Sequence, residues 1–140
     1  MYSTCFVPSV QECRAGGAVY RWALSKWFDE AQREYCALLT ACCGDMPLSW
    51  RAVSHRLDFF SDCEATGEVR LEVSVAEVNS HGVSLGCRIV QGSRLCATGS
   101  SELVSRDTIH HRSLPLTVGA RARLQAEVLT FQRITEVCLG

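Results

Sequence analysis

VQECRAGGAVYRWALSKWFDEAQREY, residues 10–35, divides into a glycine-containing loop and the opening of a long amphipathic helix. Gly16 and Gly17 permit backbone angles that other residues resist, so residues 11–17 read as a loop. After them Leu24, Trp27, Phe28, Ala31, Tyr35, Leu38, Leu39 and Cys42 recur at steps of three and four. That spacing is the period of one buried helical face. Lys26, Asp29, Glu30, Arg33 and Glu34 fall on the opposite side. Gly44 is placed to end the helix, and Pro47 stops it from continuing.

Beyond the helix the hydrophobic period changes to two. Residues 51–60 read as a strand ended by Ser61-Asp62. Val69, Leu71, Val73 and Val75 then alternate with Glu68, Arg70, Glu72 and Ser74, and the run ends at the turn Asn79-Ser80-His81-Gly82. Val83, Leu85, Cys87 and Ile89 alternate in the next strand, Gln91-Gly92-Ser93 turns, and residues 94–105 make another. Consecutive strands joined by tight turns predict an antiparallel meander with one covered face. The helix is the one element long and apolar enough to cover it. Before the helix, Phe6, Val7 and Val10 suggest a short strand that Pro8 confines to an edge. Residues 116–140 form a tail in which Leu124, Val128 and Phe131 permit a helix, while Ile134, Thr135 and Val137 weaken it. The expectation is a single α+β domain over residues 1–140.

The 140 residues are 47% hydrophobic with a net charge of −1. A nucleic-acid partner would call for a basic stripe, which is missing. No apolar run approaches the ~18 residues of a membrane span. The opening MYSTCFVPSV has neither a basic region nor an extended apolar one, so a cytoplasmic protein is expected. Nine cysteines without a C-x-x-C spacing, three of them (Cys36, Cys87, Cys96) within apolar patterns, read as reduced, packed thiols. Without a G-x-S-x-G, a phosphate-binding glycine loop or a metal-spaced set of ligands, serine-hydrolase, nucleotide and metal chemistry have no support. No cofactor is expected.

The segment ECRAGGAVYRWALSKWFDEAQREY, residues 12–35, resembles the signature of the 4-hydroxybenzoyl-CoA thioesterase family. It is most similar to the acyl-CoA thioesterase branch associated with the Tol-Pal system. There the pattern is roughly acid-Thr-Asp-Ala-Gly-Gly-Val-Val-Tyr, followed without gaps by an aromatic amphipathic helix. Leu57-Asp58-Phe59-Phe60-Ser61-Asp62 stands where that family has an aromatic strand and an acidic turn. Gly82-Val83-Ser84-Leu85 fits its Gly-x-Ser segment, and residues 103–107 with Arg112 and Leu114-Pro115 fit its closing strand and tail. The resemblance spans residues 5–116. It implies a hotdog fold, in which one long central helix is wrapped by an antiparallel sheet.

The resemblance also implies a site. A thioester carbonyl would sit at the N-terminus of the helix, its oxygen polarised by the N–H groups of Gly17, Ala18 and Val19 and by the helix dipole. In the family a loop Asp then acts as nucleophile or base. The ungapped alignment puts Arg14 at that place, and a guanidinium can be neither. The loop resembles enediyne polyketide-pathway thioesterases as well, which carry Glu-Thr-Asn-x-x-Gly-x-Val-Tyr and also lack the acid.

Arg14 is therefore expected to bind substrate or oxyanion, or else to pair with Glu12. Glu12 is either a displaced base or one half of that ion pair. Tyr20 is placed to bond substrate or to meet another subunit, and Trp22 and Trp27 to line an acyl pocket or to pack. His55 stands beside the expected acyl channel, Ser84 is a candidate for positioning the thioester, and His81 is a turn residue. His110-His111 with Arg106 and Arg112 forms a basic cluster suited either to coenzyme A phosphates or to solvent. The expected activity is hydrolysis of a CoA- or carrier-protein-bound polyketide or fatty acyl thioester by a homodimer or homotetramer. The alternatives are non-hydrolytic thioester binding, and acyl transfer, cyclisation or dehydration on the same thioester.

Overall fold

The computed structural model describes residues 1–44 and 46–139, with side chains through Val128. The expected helix is α1, Arg21–Cys42, and Leu24, Trp27, Phe28, Ala31, Tyr35 and Leu39 form its buried face. Leu38 departs from the expectation and is 54% exposed. Tyr35, one turn earlier, stacks on Tyr2, and Tyr2 is where the neighbouring strand begins, so no strand covers the next turn on that side. Gly44 takes the left-handed φ of +73° just past the helix end, where a side chain would be strained.

Five antiparallel strands run β1 (Tyr2–Phe6), β2 (Leu48–Phe59), β3 (Val69–Asn79), β4 (Gly82–Gln91) and β5 (Arg94–Asp107). Their order across the sheet is β1-β3-β4-β5-β2. The meander β3-β4-β5 is central, and β1 and β2 are the edges. Register aligns Val73, Cys87, Gly99 and Leu57 in one row, and Leu71, Ile89, Ala97 and Phe59 in the next. Both rows lie on the face that packs α1. A Cβ on Gly99 would come within 2.8 Å of Phe28 and Leu57, so this glycine lets the helix lie close to the sheet.

β2 starts three residues earlier than the pattern at 51–60 suggests. The Trp50 indole N–H donates to Thr40 Oγ1 at 3.0 Å, holding the start of β2 against α1. The rest of β2 is largely open, with Val53 58% exposed, because it pairs with β5 alone.

The tail is a helix, α2 (Val118–Leu139). Thr117 Oγ1 accepts the Ala120 N–H at 3.1 Å and caps its first turn. Leu124 and Val128 bury against the core, and Arg123 donates to the Cys42 carbonyl at the end of α1. The side chains of Phe131, Ile134, Thr135 and Val137, named above for and against this helix, lie outside the described residues. The eight described cysteines are free. Burial pushes the thiols of Cys36, Cys63 and Cys87 up, to about 11, about 12 and about 12.

Candidate functional site

Between β1 and α1 the chain builds a small loop structure of its own. Tyr20 N–H donates to the Glu12 carbonyl at 2.8 Å and Arg14 N–H to the Ala18 carbonyl at 2.8 Å, folding residues 12–20 back on themselves. Gly17 N–H closes the tip on the Arg14 carbonyl at 2.9 Å, with Gly17 at a φ of +90°. A third segment, residues 62–65 after β2, joins the outer side. There Val19 N–H donates to the Cys63 carbonyl and Ala65 N–H to the Gly17 carbonyl.

These bonds correct the expected donors. The amides of Gly17 and Val19 are spent holding the loop, so neither is free for an oxyanion. Among the described residues the Ala18 N–H takes no such bond and stays a candidate. The other open donors belong to α1 itself. Its N-cap is Tyr20, which supplies no side-chain cap, and the first turn contains no acid. The N–H groups of Arg21 and Trp22 therefore have no partners among the described residues. α2, with Thr117 as cap, shows what an ordinary start looks like in the same chain.

Arg21 accentuates this. A cation in the first turn opposes the helix dipole and costs roughly 0.3–1 kcal/mol. Its guanidinium lies over the Phe59 ring, 4.8 Å from the centroid, and has no carboxylate partner among the described residues. Arg14 adds a second cation nearby. The expected pair with Glu12 does not form; Arg14 Nη2 instead lies 3.6 Å from Asp62 Oδ2. Three adjoining clefts of about 230, 580 and 640 Å³ open around this point. Arg21 and Val19 border the first and third, Gly16, Gly17 and Ala18 the second, and Asp62 all three.

Glu12 is buried and fully engaged. Oε1 accepts the Ser9 N–H at 2.9 Å, Oε2 accepts the Trp27 indole N–H at 3.0 Å, and Lys26 Nζ stands 3.7 Å away. Burial alone would raise its carboxyl; the bonds from Ser9 and Trp27 and the Lys26 charge outweigh that and hold it below the usual range. With both oxygens committed, Glu12 is a structural anchor rather than the displaced base. Trp27 is corrected with it. Its ring is 2% exposed and stacked on Phe6 at 5.4 Å, so it belongs to the core and borders none of these three clefts.

The remaining expected residues scatter. Tyr20 and Trp22 stack on each other at 6.0 Å, exposed and lining the largest of these three clefts. His55 is exposed on β2 beside α1, its ring 4.7 Å from Phe28 and its Nε2 3.5 Å from Ser25 Oγ, and borders none of these clefts. Ser84 is on the wrong face. Its neighbours Val83 and Leu85 point into the core, so alternation turns Ser84 outward, where it donates to Glu102 at 2.7 Å. His81 is the turn residue expected. In the basic cluster His110 is paired with Asp107 and Arg106 donates to the His111 carbonyl. That cluster adjoins the Leu48–Asp107 end of the sheet, whereas the clefts open at the Phe59–Ala97 end.

Arg21 and Asp62 are the site residues that the sequence reading passes over. An arginine in an uncapped first turn is a visible signal. Asp62 stands in the acidic turn that the resemblance marks, but its meeting with Arg14 leaves no sequence signal, because the partner lies in a different loop.

No family model matches the chain, and no curated protein matches it in sequence. Its fold has solved counterparts. A predicted thioesterase from Bacillus stearothermophilus superposes with a TM-score of 0.78 at 19% identity, over 91% of this chain and 96% of that one. A protein of the thioesterase superfamily from Jannaschia sp. CCS1 gives 0.79 at 14% identity, covering 91% and 92%. A 1,4-dihydroxy-2-naphthoyl-CoA thioesterase from Synechocystis gives 0.69 at 14% identity, covering 89% and 95%. These likenesses establish the hotdog fold.

Proposed function

We propose that this hotdog protein hydrolyses an acyl thioester bound with its carbonyl at the N-terminus of α1. The observation that carries this reading is the helix start itself. It is left uncapped, it bears Arg21 against the dipole, and it opens on clefts bordered by Arg14 and Arg21. A helix terminus built for stability alone would carry a cap and an acid there. One left electropositive, with amides pointing outward, suits an oxygen that gains negative charge as a tetrahedral intermediate forms.

In this reading the thioester oxygen takes the open amides of α1, and the acyl chain runs toward His55 between α1 and β2. Arg14 binds a carboxylate, a β-keto oxygen or the oxyanion and abstracts no proton. The similarity to structures described as thioesterases, one of them acting on an acyl-CoA, supports the reaction class. An arginine where the resembling family keeps its loop Asp favours a specialised biosynthetic substrate, a polyketide or fatty acyl chain on coenzyme A or a carrier protein. A cytoplasmic homodimer is the minimum assembly. The open edge of β2 is suited to pair with a second copy, and an antiparallel pairing lays the basic end of one subunit beside the α1 N-terminus of the other.

The test is a panel of short, long, aromatic and β-keto acyl-CoA thioesters, following thiol release and product mass. Arg14→Ala should slow release on the preferred substrate far more than it lowers the melting temperature; an unchanged rate removes Arg14 from the site. Ligand stabilisation without turnover across the panel would replace hydrolysis by binding.

A further inference from the structure

Three carboxylates stand near the α1 N-terminus, and Asp62 is the one that borders all three clefts. Glu64 borders the second alone, away from Arg14 and Arg21, and pairs with Arg94 at 3.9 Å. Glu12 has both oxygens bonded and is buried. Asp62 engages only Oδ2, with Arg14 Nη2 at 3.6 Å, and its Oδ1 has no partner among the described residues.

Its backbone, by contrast, is held on both sides. Phe60 and Ser61 N–H groups donate to the Cys96 carbonyl at 2.8 and 3.2 Å, and Ser61 Oγ donates to the Leu95 carbonyl. On the other side Cys63 is 1% exposed, and its carbonyl takes the Val19 N–H. The segment is thus tied to β5 and to the loop before α1, leaving the Asp62 side chain to project where the three clefts meet. The third cleft is lined by Arg21 and Trp22 as well, the two residues whose amides begin α1. A carboxylate and an oxyanion site therefore share one cavity.

We infer that Asp62 is the general base of this site, supplying from the β2–β3 loop the carboxylate that position 14 lacks. The assignment rests on the hydrolytic reading above. Oδ1 takes a proton from a water molecule as the water oxygen bonds to the thioester carbon, and the negative charge passes to the carbonyl oxygen at the helix amides. When the intermediate collapses, the C–S bond breaks and the sulfur takes that proton back from Asp62. Water and thioester become acid and thiol, with the carboxylate regenerated. Arg14 orients the carboxylate through Oδ2 and leaves Oδ1 toward the water. This explains an arginine at position 14: it serves an acid rather than replacing one.

The experiment uses the full chain on the thioester panel, with Asp62→Asn as the first variant, because the amide keeps an oxygen for Arg14 but cannot take a proton. It should lower kcat/KM by roughly 100-fold or more, the usual worth of a positioned base. The low-pH limb of the rate profile should vanish with it, and the melting temperature should hold. Asp62→Glu should restore part of the rate, and Asp62→Ser should repeat the loss if the asparagine variant folds poorly. Asp58→Asn, a carboxylate paired with Arg56 on the outward face, should hydrolyse like the parent. An Asp62→Asn variant with the parent rate and acid limb overturns the assignment while leaving hydrolysis intact. An equal loss in Asp58→Asn also overturns it. A parent protein that turns over no member of the panel overturns hydrolysis and the base together.

Discussion

Trp27 donates its indole N–H to Glu12 Oε2 at 3.0 Å, tying the buried face of α1 to the loop that precedes it. The bond connects the helix that packs the sheet to the turn that displays Arg14. Replacing Glu12 with Gln should cost about 1.5–3 kcal/mol, the worth of hydrogen bonds to a charged group. The pH dependence has a definite sign. The folded carboxyl sits below its ordinary value of 4.5, so its contribution is complete above that value and disappears as pH falls through the folded one. The stability gap between the parent and Glu12→Gln, measured by urea denaturation, should therefore narrow below pH 4.5. A gap independent of pH would show that the carboxylate charge plays no part.

Arg21 should separate function from stability. Arg21→Gln relieves roughly 0.3–1 kcal/mol of dipole repulsion and forfeits a contact with Phe59 of about 0.5–1 kcal/mol. The two offset, and the melting temperature should barely move. Thioester hydrolysis should fall at least tenfold, because a cation beside the open amides is lost. A large stability change with unaltered kinetics would mark Arg21 as structural.

Two glycines on β4 and one on β5 discriminate close packing from open strand. A Cβ on Gly82 would lie 1.9 Å from the Leu103 carbonyl oxygen, a backbone atom that cannot swing aside. Gly82→Ala should destabilise by about 2 kcal/mol or more. Gly99→Ala meets the flexible ends of Leu57 and Phe28 at 2.8 Å and should cost about 1–3 kcal/mol as α1 is pushed off the sheet. Gly86 has nothing within 4 Å, and Gly86→Ala should stabilise by about 0.5 kcal/mol. Thermal melts of the three variants should rank them in that order.

The cysteines should divide by burial. Cys5 is exposed, whereas Cys63 and Cys87 are buried thiols pushed to about 12. Iodoacetamide at neutral pH followed by mass spectrometry should label Cys5 in the native protein, and reach Cys63 and Cys87 only after denaturation. Native labelling of Cys87 would mean that the sheet opens over α1.

If β2 is the contact between copies, a charge at its open edge should dissociate them. Val53→Lys should shift the protein from dimer to monomer in sedimentation while the circular dichroism spectrum holds. A dimer that persists would move the contact elsewhere.

The sequence by itself determined the architecture. α1 and the β3-β4-β5 meander were legible because burial writes a period of 3.6 or 2 directly into neighbouring residues, and the resemblance of the loop-helix segment led to the same fold. Tertiary structure decided the site. Whether the amide of Val19 is free depends on the Cys63 carbonyl, which the segment after β2 presents, while that of Gly17 is taken by its own turn. Whether Arg14 meets Glu12 or Asp62 depends on the segment after β2 lying against the loop before α1. Trp27 illustrates the same division, because it is spent on the core by a partner fifteen residues away. The outward turn of Ser84, by contrast, is already written in the alternation of Val83, Leu85 and Cys87. Hydrogen bonds and ion pairs join groups from distant segments, and no local period records which of them will meet.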